Sequence, residues 1–200
     1  MRKPIKQVAA SLERRAVMRA LVAERGDDLL VVPGLGSTTY DLAAAGDHPL
    51  NFYLWGAMGA AAMIGLGLAL AQRKKRVLVA TGDGEMLMGL GGLATIAVQR
   101  PRNLAIAVID NERYAETGLQ HTHTAHGVDL TGIAAAAGFE SAQTIRSERE
   151  LAAAVELLRH APGPIFATIK VRPDRPPFVL PEKDGVELKN RFRRALLGAA

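Results

Sequence analysis

Two short polar segments, each placed directly after an apolar run of strand length, have the composition of a metal and anion site. In the first segment, Asp83 lies between Gly82 and Gly84. Glycines let the main chain approach a bulky anion, and a carboxylate beside a phosphate requires a hard cation between the two. The segment therefore predicts Mg²⁺ held between Asp83 and a diphosphate. The alternative is an ordinary strand-to-helix turn in which Asp83 is the N-cap.

The second polar segment begins where the apolar run Leu104–Ile109 ends, and 26 residues separate its Asn111 from Gly84. Mg²⁺ takes about six oxygen ligands. The six ligands would be a carboxylate oxygen, the amide oxygen of Asn111, a main-chain carbonyl oxygen, two phosphate oxygens and a water. Because ligands bind outside the carboxyl ends of parallel strands, both segments are expected at the same edge of a sheet.

Apolar runs alternate with helical patterns along the chain, and this alternation predicts the fold that positions the two segments. The strand-like runs are Leu29–Val32, Arg76–Ala80, Leu104–Ile109 and Pro164–Val171. Helical spacing covers about 11–24, 54–71, 86–99, 130–137, 148–160 and 186–197. Continuous apolar strands between helices indicate a parallel sheet covered on both faces.

We therefore predict a single doubly wound α/β domain over residues 1–172, with a mostly parallel sheet of about six strands and helices on both faces. Residues 173–200 are predicted to form a Pro-rich linker and a C-terminal basic helix. A length of 200 residues allows one such domain, with 48% apolar side chains to fill its core.

The absence of cysteine excludes several classes of site at once. Disulfide scaffolds, Cys-ligated zinc, iron–sulfur clusters within this chain and thiol nucleophiles all require that residue. The first residues are basic but lead into an amphipathic Arg-containing segment instead of an apolar signal core. We expect a cytoplasmic protein.

The net charge of +5 is concentrated at the chain ends. Residues 1–25 carry seven Lys and Arg against two acids, residues 170–200 carry eight against four, and the middle carries ten against fourteen. Because basic stripes interleaved with aromatic residues are missing, we expect no nucleic-acid partner. The uncharged stretch Leu54–Ala71 is mostly Ala and Gly, which predicts a buried helix and no membrane span.

The Gly-Asp-Gly segment followed at this interval by Asn111 resembles the diphosphate and metal motif of thiamine diphosphate enzymes. The resemblance implies Mg²⁺ ligands at Asp83, Asn111 and the main-chain carbonyl of Arg113. A second segment resembles the Gly-x-Met-Gly element of the same family. There the carbonyl of Gly56 would accept a hydrogen bond from the cofactor's 4′-amino group, and Met58 would separate its two rings. Composition alone would assign Met58 to core packing.

The resemblance extends over residues 27–171. Within the family, the sequence most resembles the small (beta) subunits of sulfopyruvate and phosphonopyruvate decarboxylases. Two positions depart from that pattern, since Glu116 replaces a small hydroxyl residue and Leu119 replaces a glycine. Both lie where substrate would bind, so the particular 2-oxo acid is left open. The cofactor-binding residues implied by the resemblance are Gly36, Ser37, Gly56, Met58, Gly82, Asp83, Gly84, Glu85, Asn111, Arg113 and Tyr114.

In this family, a glutamate that activates the cofactor belongs to a separate pyrimidine-binding domain, for which 200 residues leave no room. The resemblance thus implies one subunit of a hetero-oligomer, α₂β₂ or larger, with the glutamate on a partner subunit. The implied reaction is non-oxidative decarboxylation of a small 2-oxo acid to CO₂ and an aldehyde.

Three histidines follow the second polar segment, and their role has competing interpretations. His121 and His123 are predicted catalytic candidates, as proton donors or contacts for an anionic substrate, because imidazole titrates near neutral pH. Together with His126 they also have the short spacing of a zinc site. A third interpretation leaves them as solvent-exposed loop residues.

Other functions are also compatible with parts of this pattern. Gly34 and Gly36 after a strand suggest a dinucleotide-binding domain, but Thr39 stands where the third glycine is required. Within thiamine diphosphate enzymes, a carboligase similar to acetolactate synthase or a subunit of a 2-oxo acid oxidoreductase is an alternative. A non-catalytic binding or scaffold subunit is a further alternative, which the presence of both Asp83 and Asn111 disfavours.

Overall fold

The computed structural model describes residues 11–198 and places five parallel strands in one sheet surrounded by helices. The strands of the described chain are β1 Leu29–Pro33, β2 Arg76–Gly82, β3 Leu104–Asp110, β4 Arg113–Tyr114, β5 Gln120–His121, β6 Ser141–Ile145 and β7 Ile165–Lys170. The α-helices are α1 Arg14–Val22, α2 Ser37–Ala45, α3 Ala61–Ala71, α4 Asp83–Met88, α5 Gly91–Gln99, α6 Leu130–Ala137, α7 Glu148–His160 and α8 Gly185–Leu197.

The main sheet has the strand order β1-β2-β3-β7-β6, and every neighbouring pair is parallel. The α/β fold and the parallel sheet are confirmed, and the sheet of the described residues has five strands, one fewer than the approximate number expected. Strands β4 and β5 form a separate antiparallel pair. The chain leaves β3 through Glu112, which has a φ of +61°. It then folds back on itself and adds no sixth strand to the sheet.

Helices cover both faces of the sheet and bury two apolar cores, as the doubly wound prediction requires. On one face α1 and α7 pack on the sheet through Val17, Leu21 and Leu158. On the other face α3 and α5 contribute Leu66 and Ile96. Strands β1, β3 and β7 are buried along their full length, which explains their mostly apolar sequences.

Two predicted helices differ from the structure for identifiable reasons. The stretch predicted from residue 54 becomes helical only at Ala61, because the preceding loop contains left-handed φ angles at Ala57 and Gly59. The segment predicted as one helix over 86–99 is divided into α4 and α5 around Gly89. Gly89 packs so closely on the carbonyl oxygen of Gly59 that a side chain would not fit.

Two glycines of α3 provide a matched test of this packing. A Cβ on buried Gly65 would overlap Val79 of β2, whereas a Cβ on exposed Gly67 would meet no atom within 4 Å. We expect Gly65→Ala to lower the free energy of unfolding by about 1–3 kcal/mol through overpacking. Gly67→Ala should raise it by about 0.5–1 kcal/mol through helix propensity. Chemical denaturation measures both, and equal effects would contradict the packing of α3 on β2.

The segment between β7 and α8 crosses the surface beside the loop that precedes α3. Residues 172–184 contain neither helix nor strand. The indole N–H of Trp55 donates to the carbonyl oxygen of Glu182 at 2.8 Å, and the rings of Tyr40 and Phe178 lie 4.9 Å apart in an edge-to-face arrangement. Helix α8 then buries Phe192 in one core. The division of the chain at residue 172 stays a prediction.

Among residues 11–198, no helix has the length and apolarity needed to cross a membrane. The uncharged stretch that raised this question contributes the 11-residue helix α3. The prediction of a buried helix holds for one face of α3, since Ala62, Leu66 and Ala69 pack in the core while Met63 and Leu70 are exposed.

Candidate active site

A cavity of about 180 Å³ opens at the carboxyl ends of β1, β2 and β3. It brings together nine residues that sequence analysis had assigned to the site, namely Ser37, Met58, Gly82, Asp83, Gly84, Glu85, Asn111, Arg113 and Tyr114. Its other lining residues are Arg14, Leu35, Thr38, Ile109, Ala115, Glu116 and Thr117. Gly36, Gly56, His121 and His123 do not line it. The two polar segments therefore meet at one edge of the sheet.

Asp83 is a buried carboxylate at the start of α4, with 2% of its surface exposed. The hydroxyl of Thr122 donates to its Oδ2, and the hydroxyl of Thr124 lies 3.3 Å from the same atom. Burial, reinforced by the charge of Asp110, raises the pKa of Asp83 to about 7. No Lys or Arg of the described chain pairs with Asp83, so a bound cation would stabilise its charged form.

Asp110 has a different environment from Asp83, although both are buried. The ammonium group of Lys170 lies 2.8 Å from Asp110 Oδ2 and also contacts Glu112 at 2.5 Å. The Asp110 Oδ1 atom accepts a hydrogen bond from the main-chain N–H of Glu112 at 3.1 Å. Its charge is therefore balanced within the protein, and of these two aspartates only Asp83 lacks a cationic partner among the described residues.

Asn111 is oriented by its own loop. Its side-chain oxygen accepts a hydrogen bond from the N–H of Arg113 at 3.0 Å, and an amide oxygen has a second lone pair for another ligand. Asn111 and Asp83 both line the cavity. Their oxygen donors suit a hard divalent cation.

Glu85 joins three parts of the site through its buried carboxylate. Oε2 accepts a hydrogen bond from the N–H of Leu35 at 2.7 Å, and Oε1 lies 3.4 Å from the N–H of Ala61. A side chain on Gly34 would overlap the Glu85 carboxylate. Burial raises the pKa of Glu85, while these hydrogen bonds act in the opposite direction. Glu85 thus holds the loop after β1 and the start of α3 against α4.

The two glycines beside Asp83 have different surroundings. A Cβ on Gly84 would lie 2.5 Å from the ring of Tyr114, so a glycine is needed where that ring packs. A Cβ on Gly82 would meet no protein atom within 4 Å, although Gly82 lines the cavity. The space beside Gly82 is therefore part of the cavity.

Met58 lies at the cavity rim with 38% of its surface exposed, so core packing does not explain it. It belongs to the loop that also contains Gly56, an exposed residue with open space around its Cα. The loop is thereby available to contact a group bound in the cavity.

The histidine-containing loop lies beside the cavity. Both His121 and His123 are exposed, and His121 pairs with Arg113 between β5 and β4. The rings of His121 and His126 have centroids 5.7 Å apart. No group of three or more His, Asp or Glu suited to a metal occurs in the part of the chain that the structure describes, which argues against the zinc interpretation. A catalytic role for His121 and His123 stays a prediction.

Sequence analysis missed three residues that shape the site. Arg14, on α1, is buried beside the cavity with its Nε atom 3.3 Å from Asp41 Oδ2. Thr122 and Thr124 contact Asp83 from 39 and 41 residues away. For Arg14, the only feature of the sequence that could have indicated a role in the site is its position at the start of an apolar helical face. For Thr122 and Thr124, which alternate with histidines, the sequence contains no feature that indicates contact with Asp83.

The fold and the cavity define an α/β protein with a polar site at the carboxyl ends of parallel strands. A protein from Mycobacterium smegmatis described as a "putative thiamin diphosphate-dependent enzyme" superimposes with a TM-score of 0.70 at 26% identity, covering 87% of this chain and 36% of that one. Benzoylformate decarboxylase from Polynucleobacter necessarius has the same fold, with a TM-score of 0.69 at 19% identity over 89% of this chain and 37% of that one.

Residues 34–169 match the family model "Thiamine pyrophosphate enzyme, C-terminal TPP binding domain", and the chain belongs to this family. It is 40% identical over 176 residues to sulfopyruvate decarboxylase subunit beta from Methanothermobacter thermautotrophicus, covering 86% of this chain and 90% of the relative. It is 38% identical over 165 residues to phosphonopyruvate decarboxylase from Streptomyces viridochromogenes, covering 82% of this chain but 41% of the relative. The resemblance found in the sequence is confirmed.

Proposed function

We propose that this chain is the diphosphate- and Mg²⁺-binding subunit of a split thiamine diphosphate-dependent decarboxylase that acts on a small 2-oxo acid. The observation that carries the proposal is the buried Asp83 carboxylate, which has no cationic partner in the described chain and lines a cavity together with Asn111. The reaction would release CO₂ and an aldehyde without oxidation, as the names of the two relatives suggest.

The oxygen donors at the cavity fit Mg²⁺ and diphosphate. Asp83, Asn111 and the main-chain carbonyl of Arg113 would hold the metal, and the raised pKa of Asp83 supports a role for its carboxylate as the metal's anionic ligand. The diphosphate would lie beside Gly82, where a Cβ would point into open space. We place Ser37, Gly84, Glu85 and Tyr114 around that diphosphate, with Gly36 next to Ser37 just outside the cavity lining.

When bound, thiamine diphosphate supplies an electron sink for the electron pair left by departing CO₂. The residues of this chain would bind and orient the cofactor. Gly56 would accept a hydrogen bond from the amino group of its pyrimidine ring through a main-chain carbonyl. Met58, whose side chain is exposed at the rim, would separate the two cofactor rings. Thr122 and Thr124 would keep the Asp83 carboxylate directed at the metal.

The proposal requires a partner subunit that supplies the activating glutamate. Two comparisons support this arrangement, because the chain covers 90% of a relative named subunit beta but 41% of a phosphonopyruvate decarboxylase. We propose an α₂β₂ or larger assembly in the cytoplasm.

Reconstitution tests the proposed function. The purified chain and a candidate partner subunit should each release no CO₂ from 2-oxo acids, and the mixed complex should release CO₂ when thiamine diphosphate and Mg²⁺ are added. Aldehyde formation measured together with CO₂ distinguishes decarboxylation from carboligation and oxidation. Full activity of the lone chain would contradict the split arrangement, and an inactive complex that still binds the cofactor would indicate a non-catalytic subunit.

Gly82→Ala tests the position of the diphosphate. The added methyl group clashes with no protein atom, so we expect the melting temperature of the cofactor-free protein to stay within about 2 °C. In the complex, the affinity for thiamine diphosphate should fall by about tenfold or more, since the methyl group occupies cavity space. Calorimetric titration in the presence of Mg²⁺ measures this affinity. Gly91→Ala is the control, because it also has open space but does not line the cavity.

A further inference from the structure

A second cavity, of about 320 Å³, lies at the edge of the main sheet opposite the candidate active site. Residues that directly precede three of the parallel strands line it, namely Asp28 before β1, Lys75 before β2 and Asn103 before β3. The first cavity opens at the carboxyl ends of the same strands, and the seven residues of β2 place about 20 Å between the two edges. The proposed function uses no residue of the second cavity.

The second cavity, which we name the basic cleft, is strongly positive. One carboxylate lines it, at Asp28, together with six Lys and Arg side chains: Arg73, Lys74, Lys75, Arg76, Arg102 and Arg159. None of the six forms an ion pair within residues 11–198. The basic cleft therefore carries more positive charge than the described chain neutralises.

Hydrogen bonds to main-chain carbonyl oxygens fix the walls of the basic cleft. Arg76 donates to two carbonyl oxygens at the end of α7, at 2.7 and 2.9 Å. Lys75 donates to the carbonyl oxygen of Asp27 at 2.8 Å. The side-chain amide of Asn103 donates to three carbonyl oxygens at and after the end of α3, at 2.9, 3.0 and 3.1 Å. The protein itself thus holds the basic cleft in shape.

Arg73, Lys74 and Arg102 are the lining cations that remain for a ligand. All three are exposed, and none takes part in the hydrogen bonds that fix the walls. Arg73 and Lys74 follow α3 whereas Arg102 follows α5, so two separate loops supply these charges. Guanidinium groups pair with phosphate oxygens through two parallel hydrogen bonds, which suits an anion that has several such oxygens.

Balancing of helix dipoles does not account for the charge of the basic cleft. Helices α3, α5 and α7 end beside it, and the carboxyl end of a helix carries about half a negative charge. Three such ends and Asp28 together offset less than half of the charge of six Lys and Arg side chains. The surplus is available to a multivalent anion.

We propose that the basic cleft binds a small multivalent phosphate anion, with the size and charge of inorganic triphosphate. Its volume of about 320 Å³ is at the small end of ligand pockets, which favours a compact ligand. No Phe, Tyr or Trp of the described residues lines it, so a nucleobase would find no such ring to stack on. The phosphate chain is therefore the recognised group. This site is independent of the proposed decarboxylase function.

Titration of the full chain with sodium triphosphate, in EDTA and at low ionic strength, tests the site. Without Mg²⁺, the first cavity lacks the cation that would join Asp83 to a phosphate. We expect one triphosphate per chain, with an affinity about tenfold or more above that for orthophosphate because more cations are engaged. ATP should bind within about threefold of triphosphate, since its base adds no stacking. High ionic strength should weaken binding.

Matched substitutions locate the bound anion. Arg73→Gln and Arg102→Gln should each lower the triphosphate affinity about 3–10-fold through loss of one cation. Asp28→Asn should raise it about threefold, since it removes the opposing charge. Because these three residues are exposed, the melting temperature should stay within about 2 °C of the wild type. Arg193→Gln, exposed on α8, and Arg113→Gln, in the first cavity, should leave the triphosphate affinity unchanged.

Four results would overturn the assignment. Equal losses in Arg102→Gln and Arg193→Gln would indicate diffuse surface charge, and a loss in Arg113→Gln alone would place the anion in the first cavity. ATP or a single-stranded oligonucleotide bound more than about tenfold more tightly than triphosphate would indicate that the nucleoside is recognised. Absence of binding at about 1 mM triphosphate would show that the basic cleft is not an anion site.

Discussion

Replacing Asp83 by Asn is expected to lower the Mg²⁺-dependent affinity of the complex for thiamine diphosphate by at least about 100-fold, because even indirect partners of a metal contribute 10–100-fold. Asn111 and a main-chain carbonyl are neutral, so Asp83 is the anionic ligand that our proposal provides. Removing its charge leaves the negative diphosphate and the cation without that ligand. Calorimetric titration with and without Mg²⁺ measures the loss.

The same substitution should not damage the cofactor-free protein. Burial, together with the charge of Asp110, raises the pKa of the Asp83 carboxyl to about 7. Asn removes this unfavourable buried charge and keeps the shape of the side chain. We expect a free energy of unfolding at pH 8 equal to or above that of the wild type. Asp28→Asn, an exposed change at the amino end of β1, is the matched control. Wild-type Mg²⁺ dependence in Asp83→Asn would refute the metal site.

Replacing Glu85 by Ala is expected to destabilise the fold by about 2–5 kcal/mol. The N–H groups of Leu35 and Ala61 both point at the Glu85 carboxylate, and each buried donor left without an acceptor costs about 1–3 kcal/mol. For a chain of this size, the loss corresponds to a fall of about 5–15 °C in melting temperature. Thermal unfolding of the cofactor-free chain measures it.

Glu156→Ala is the matched control for this prediction, because Glu156 is exposed on α7 and should change stability by no more than about 0.5 kcal/mol. Since Glu85 joins the loop after β1 to the start of α3, the Ala variant should also weaken cofactor binding in the complex. A variant that keeps both the wild-type stability and the wild-type affinity would show that the three segments hold their positions without Glu85.

Helices and strands whose burial and end signals are visible in their own sequences could be predicted. Elements that depend on contacts with distant parts of the chain could not. Helix α7 has the predicted bounds, and a capping box between Ser147 and Glu150 fixes its start. Helix α6 also has the predicted bounds. Strand β6, by contrast, lies at a sheet edge and is mostly half-exposed, so its polar sequence lacks the apolar run that marks the buried strands.

The candidate site shows the same division. Asp83 and Asn111 could be predicted because strand ends of a parallel sheet converge, which brings distant polar segments together. The threonines that contact Asp83 could not, because their positions depend on how the loop after β4 folds back over α4. Arg14 was missed for a similar reason, since its place at the cavity depends on the packing of α1 against α2.

Trp55, whose indole N–H donates a hydrogen bond to the carbonyl oxygen of Glu182, is an intrinsic fluorescence probe of this chain. Trp55 is its single tryptophan, and it lies three residues from Met58 with its ring 6.5 Å from that of Tyr40. Selective excitation of the indole therefore observes one point, where the rim of the cavity meets the proline-containing segment before α8. Changes in its emission during titration would follow cofactor loading and subunit assembly in real time, without an attached label.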